Sequence, residues 1–176
     1  AKDAQGRTVA YVKQKLFKFK EAISVYDDES KNQLVYKIAA DRWIDFSAAY
    51  SMTYADGTEL GKVARKGWRS LWKAKYLVID QHQKEQYSIE EENVWVKVCV
   101  SLFSEIHIMG LLSGYVFNPS YDVKDMNGKA VVRLKKQKSM LGRRFQITKL
   151  ADIDTDDRER LLLSLMMMIL LERRRG

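Results

Sequence analysis

Asp152-Ile153-Asp154-Thr155-Asp156-Asp157-Arg158-Glu159-Arg160-Leu161-Leu162-Leu163-Ser164-Leu165-Met166-Met167-Met168-Ile169-Leu170-Leu171-Glu172-Arg173-Arg174-Arg175 is the stretch that decides the fold. Acids lead it and three arginines close it, the order that complements a helix dipole. Thr155 or Asp154 can cap the first turn. From Leu161 to Leu171 the only polar side chain is Ser164, so the helix has no solvent face and must be surrounded. Strands supply most of the remaining chain. The simplest enclosure is a closed sheet wrapped around this helix, with Met166, Met167 and Met168 flexible enough to fill an uneven interior. The apolar run would be about 16 Å long as a helix, against a bilayer core of about 30 Å. It is too short to span a membrane unaided, and a chain ending at Asp154 is expected not to fold.

Working outward, the first 90 residues read as antiparallel strands. Phe17-Lys18-Phe19-Lys20 alternates, and Ile23–Tyr26 and Leu34–Ile38 flank a polar turn over 27–32. Phe46–Tyr54 runs into Asp56-Gly57, a hairpin turn with Leu60–Arg65 as the return strand. Tyr76–Asp80 and Gln86–Glu90 form a further hairpin across His82. Residues 91–110 carry both a helical stripe and alternating valines, and the acids at their start favour a helix. Strand signals return at Tyr121–Val123, across Asn127-Gly128 to Val131–Leu134, and at Arg144–Thr148. The two Gly turns head similar segments. Ser70 and Ser139 lie 69 residues apart, each six residues before an aromatic (Tyr76, Phe145), which points to an internal duplication of a strand–turn–strand unit. Seven to twelve short strands in one domain imply a barrel or sandwich, and the apolar helix favours closure: the expected fold class is mainly β (α+β), one domain over residues 1–176, a closed antiparallel β-barrel around a buried hydrophobic C-terminal helix.

The chain has 176 residues with 31 Lys and Arg against 23 Asp and Glu, a formal charge of +8. One cysteine excludes an internal disulfide and a Cys-based zinc module, so the cytoplasm is the default compartment. The N-terminus is polar and is not followed by the apolar stretch of a secretory signal.

The positive charge is patterned. Lys62–Lys75 holds Lys62, Arg65, Lys66, Arg69, Lys73 and Lys75 and no acid. Lys129–Lys149 holds Lys129, Arg133, Lys135, Lys136, Lys138, Arg143, Arg144 and Lys149, again without an acid. The plain account is solvated strand faces and edges protected by lysine. The functional account is a surface for phosphate-rich partners, each cation near an anionic bilayer contributing about 1 kcal/mol. Trp68 and Trp72, inside the first cluster, have rings that favour a membrane interface.

Other chemistry is thinly supported. Asp152, Asp154 and Asp156 start like a calcium loop, but Asp157, Arg158 and Leu163 stand where that loop needs glycine, its seventh ligand position and glutamate. Helix capping explains these acids more simply. His82 and His107 have no histidine at helical spacing, Cys99 sits among valines, and no nucleophile elbow, dinucleotide or P-loop pattern occurs. Trp43, Trp95 and the strand tyrosines read as core. No catalytic residue, metal or cofactor is expected.

Gly114-Tyr115-Val116-Phe117-Asn118-Pro119-Ser120-Tyr121-Asp122-Val123, then Asn127-Gly128-Lys129, Arg144-Phe145-Gln146-Ile147 and the apolar helix ending Glu172-Arg173-Arg174-Arg175 resemble the LURP-one-related family. That family belongs with the tubby C-terminal domain and the phospholipid scramblases. The resemblance implies a barrel of about twelve strands threaded by the helix. It also implies headgroup binding as in tubby-like domains, or membrane association as in scramblases; no lipid-binding residue of tubby carries over to a position here. The function expected is a non-enzymatic scaffold, cytoplasmic and possible at the membrane periphery, that engages anionic phospholipid headgroups. Its ligand residues would be Lys62, Arg65, Lys66, Arg69, Lys73, Lys75, Arg133, Lys135, Lys136, Lys138, Arg143 and Arg144. The alternatives are a nucleic-acid-binding or transcription-linked module on the same surface, and a lipid-scrambling relative.

Overall fold

The computed structural model describes residues 1–15, 22–41, 49–66, 75–92, 120–137 and 144–173. They form ten strands: β1 (Tyr11–Lys15), β2 (Ala22–Tyr26), β3 (Leu34–Ala40), β4 (Ala49–Tyr54), β5 (Glu59–Lys66), β6 (Lys75–Asp80), β7 (Glu85–Glu91), β8 (Ser120–Asp125), β9 (Ala130–Gln137) and β10 (Arg144–Lys149). One helix follows, α1 (Thr155–Arg173). The strand expected at Phe17–Lys20 lies outside the described residues, as does the helix expected over residues 91–110 from position 93 on; at its start the expectation is corrected, since Glu91 closes β7.

The turns follow from residue chemistry. Gly57 and Gly128 take φ of 95° and 83°, a region that costs glycine nothing. The two turns close alike. Gly57 N–H donates to Tyr54 O at 3.1 Å and Gly128 N–H to Asp125 O at 3.0 Å. Between β6 and β7, the Asp80 carboxylate accepts the main-chain N–H groups of His82 and Lys84, both at 2.9 Å.

The strands lie in the sheet in sequence order, β1 to β10. This corrects the barrel expectation: the protein is mainly β with a C-terminal helix, but the sheet is open. β1 pairs with β2 and β10 with β9, and the described residues contain no β1–β10 pairing. An apolar helix requires cover, not a closed ladder. Closure would also set β1, with Lys13 and Lys15, beside β10, with Arg144 and Lys149, and like charges across strands repel.

The meander β3–β6 is repeated as β7–β10. Strand lengths are 7, 6, 8 and 6 residues in both. The register recurs residue for residue: Ile38↔Met52↔Gly61 becomes Ile89↔Val123↔Val132. So does a β-bulge, after Met52 in the first copy and after Val123 in the second. The bulge leaves Leu60, and correspondingly Val131, without a partner across the turn.

The chain divides into two compact units, Ala1–Ala64 with Val78–Lys84 and Thr155–Gly176, and Arg65–Leu77 with Glu85–Asp154. In the first, Ile23, Val25, Ile38, Met52, Val63 and Val78 are buried, as is every helix residue from Leu163 to Met168. Six consecutive buried positions exceed one and a half turns, so this part of α1 is covered on all sides. Arg160 anchors the start of the helix: its Nε donates to Leu60 O at 2.8 Å, an Nη to Gln81 Oε1 at 2.9 Å, and the other Nη pairs with Asp157. In the second unit Tyr76, Ile89, Tyr121, Val123, Val132 and Leu134 are buried. There the bulge carbonyl, Val131 O, accepts Leu150 N–H at 2.9 Å and Ala151 N–H at 3.3 Å. No helix among the described residues is long and apolar enough to cross a membrane.

Candidate functional site

The acid-free clusters do not stay acid-free once the strands pair. Lys62 on β5 lies 3.4 Å from Asp41, which follows β3, and 4.0 Å from Glu59. Lys75 Nζ lies 2.7 Å from Glu90 Oε1 on β7, whose other oxygen takes Lys124 of β8 at 3.3 Å. Hydrogen bonding from Lys75 holds the Glu90 carboxyl below its ordinary range, and Lys124 adds to this. Arg133 on β9 grips Asp122 of β8 with two parallel bonds, 2.8 and 3.1 Å, and also reaches Glu92 at 3.2 Å. Lys62–Asp41 and Arg133–Glu92 occupy the same position in the two meanders.

Glu90, Asp122 and Arg133 are directly opposed across β7, β8 and β9, so they share one sheet face. Lys135 and Arg144 continue that face. Lys135 stands opposite Gln146 and Arg144 opposite Gln137. The two cations are diagonal neighbours, about 7–8 Å apart by strand geometry, while the other diagonal is closed by Gln137 Nε2 donating to Gln146 Oε1 at 2.7 Å. Both cations are exposed and have no ion pair among the described residues. Lys136 points to the opposite face, beside Phe145, and also has no ion pair there. Lys149 is paired with Asp152 at 2.5 Å.

The twelve cations singled out in the sequence therefore separate. Lys75 and Arg133 are neutralised by carboxylates on neighbouring strands, and Lys62 by Asp41 just past the end of β3. Lys135 and Arg144 are brought together on one face of the β9–β10 hairpin and Lys136 stands on the other, none of them with an ion pair among the described residues. Arg65 keeps a buried Nε with no hydrogen-bond partner among the described residues. Lys66 ends β5; Arg69, Lys73, Lys138 and Arg143 lie outside the described residues, as do Trp68 and Trp72.

Two of the acids at the start of α1 are spent on structure: Asp152, ahead of the helix, pairs with Lys149, and Asp157, in its first turn, with Arg160. Among the described residues no three His, Cys, Asp or Glu side chains gather where they could hold a metal ion. A cluster the sequence did not announce joins Tyr36, Tyr54 and Glu159. The tyrosine rings are tilted with centroids 5.5 Å apart, and Tyr54 Oη donates to Glu159 Oε2 at 2.9 Å. Burial first, and then the Glu159 carboxylate, push both phenols above their ordinary ionisation range. Only the β3–β4 register, Tyr36↔Tyr54, could have revealed it.

No curated protein and no solved structure matches the chain. A family model described as LURP-one-related matches residues 8–110, more than half of the 176. That span takes in all of the first meander and the opening strand of the second, and on it the chain belongs to the LURP-one-related family.

Proposed function

We propose that the protein is a non-enzymatic binding domain that engages anionic headgroups at a membrane surface through the β9–β10 hairpin. The observation that carries this reading is the exposed, uncompensated pair Lys135 and Arg144, at the end of a face whose other cations are already paired. An ion-paired lysine must give up its carboxylate to bind phosphate. A free one gives up only water and counterions, so the hairpin is the favoured docking surface. The exposed side chains of β10 suit a flat charged surface, and in this setting the protein is cytoplasmic and peripheral to the membrane.

The test is co-sedimentation with vesicles at low salt. Recovery with phosphatidylserine-containing vesicles should exceed recovery with phosphatidylcholine vesicles and fall as salt rises. Equal recovery on both would end the reading. Nucleic acid is the second reading on the same charges. It gains support only if a gel-shift titration keeps binding at salt concentrations where vesicle binding has gone.

A further inference from the structure

The repeated meander has a consequence at its open end. In the first copy β6 is followed in the sheet by β7, and the β6 side chains Tyr76 and Val78 are 1% and 0% exposed. Their counterparts on β10 are Phe145, half-buried, and Ile147, 43% exposed. β10 has no neighbour beyond it among the described residues.

The ladder fixes which main-chain groups face outward. Leu150 N–H bonds Val131 O, so alternation along β10 leaves Phe145, Ile147 and Lys149 with N–H and C=O groups directed away from β9. These are the residues whose side chains share the face carrying exposed Ile147. Among the described residues the strand therefore offers unpaired donors, unpaired acceptors and an apolar contact together.

The first copy also shows the kind of strand that fits. β7 reads Glu85-Gln86-Tyr87-Ser88-Ile89-Glu90-Glu91: apolar at alternate positions, with three glutamates. Its Glu90 neutralises Lys75, and the residue corresponding to Lys75 on β10 is Arg144, which has no ion pair among the described residues. A second copy of the chain is a poor occupant. Its own free edge, β1, carries Lys13 and Lys15, and its β10 would bring a further set of uncompensated cations to the seam.

We infer that β10 is an edge for strand addition by a partner protein, which supplies an extended acidic segment with alternating apolar residues, like β7. Main-chain bonds to Phe145, Ile147 and Lys149 provide the pairing, and a glutamate facing Arg144 sets the register. The inference stands apart from the membrane reading, because it needs the strand edge as well as the charge.

The probe is a capped peptide copying residues 85–91. The control is the same peptide with Gln86→Pro, Ser88→Pro and Ile89→Pro, which keeps all three glutamates and removes strand-forming donors. With the intact chain, the first peptide should bind at least about tenfold more tightly than the second. It should also slow amide exchange at Phe145, Ile147 and Lys149 by about tenfold or more. Equal binding of both peptides, or unchanged exchange at those three amides, overturns the inference and leaves a purely electrostatic surface. Ile147→Pro, which removes one outward donor and no β9 bond, should abolish peptide binding while vesicle co-sedimentation and the far-UV spectrum persist. Loss of vesicle binding in the wild type with retained peptide protection would instead sink the membrane reading alone.

Discussion

Gly61→Ala is the substitution whose cost can be worked most fully. Gly61 has φ of 143°, and a Cβ there would sit 2.3 Å from Ile79 O, 3.0 Å from Arg160 Nε and 3.2 Å from Arg160 Cδ. The nearest atom is backbone and cannot swing aside. Holding alanine in that region costs about 1–3 kcal/mol, and forcing the strands apart costs about another 1–3 kcal/mol. If Arg160 is displaced, its charged hydrogen bond to Leu60 O is lost as well, a further 1.5–3 kcal/mol or so. The expected destabilisation is about 2–6 kcal/mol with Arg160 in place and about 3.5–9 kcal/mol if it is displaced, a large part of the 5–15 kcal/mol that holds a typical domain together. Gly57→Ala is the control: its φ is also positive, but nothing lies within 4 Å, so strain alone acts, about 1–2 kcal/mol. With a urea slope near 2 kcal/mol/M, the midpoint should fall by about 1–4.5 M for Gly61→Ala and by no more than about 1 M for Gly57→Ala. Equal shifts would refute the claim that Arg160 and β6 close on this glycine.

Three further outcomes follow from the charges. Glu90 has a depressed folded-state pKa, so its stabilisation is present above the ordinary glutamate range of about 4.3 and is lost as pH falls through the lower folded value; Glu90→Gln should flatten the acid limb of a stability–pH curve, and an unchanged limb would count against the Lys75–Glu90–Lys124 link. Arg133→Gln strands Asp122, 8% exposed, and should cost about 1–3 kcal/mol, whereas Lys62→Gln leaves Asp41 partly hydrated and held by Ser51 Oγ at 3.2 Å, for about 1 kcal/mol or less in urea melts. Tyr36 and Tyr54 are raised, so their contribution is intact below about pH 10 and lost as pH rises beyond it; an ultraviolet titration should show a late phenolate step that Glu159→Gln moves to lower pH.

The strands, the two Gly turns and the helix were legible because each rests on local chemistry. Asp56-Gly57 and Asn127-Gly128 demand positive φ, and Leu161–Leu171 cannot face water. The duplication was legible in part. The serine spacing gave 69 residues, but β4, β5, β8 and β9 align at 71, as Gly57 and Gly128 do. The connection before β10 is two residues shorter than the one before β6, so only the last strand keeps the offset of 69. Sheet closure was not legible, because it depends on the edges β1 and β10, which no local pattern reports.

The candidate site was blurred for a similar reason. Lys62 and Lys75 look uncompensated along the chain, yet their carboxylates arrive from Asp41 and Glu90 on other strands. Linear charge patterning sees neighbours in sequence, and a sheet makes neighbours of residues 15 to 41 positions apart. Lys135, Lys136 and Arg144 are what remains after those pairings are subtracted.

That remainder can be measured directly. Lys135→Glu/Lys136→Glu/Arg144→Glu and Lys62→Gln/Lys75→Gln should be compared with the wild type in co-sedimentation on phosphatidylserine-containing vesicles at low salt, with melts to confirm that each folds. The account predicts that the first variant loses binding and the second keeps most of it. Binding lost from the second and retained by the first would contradict it.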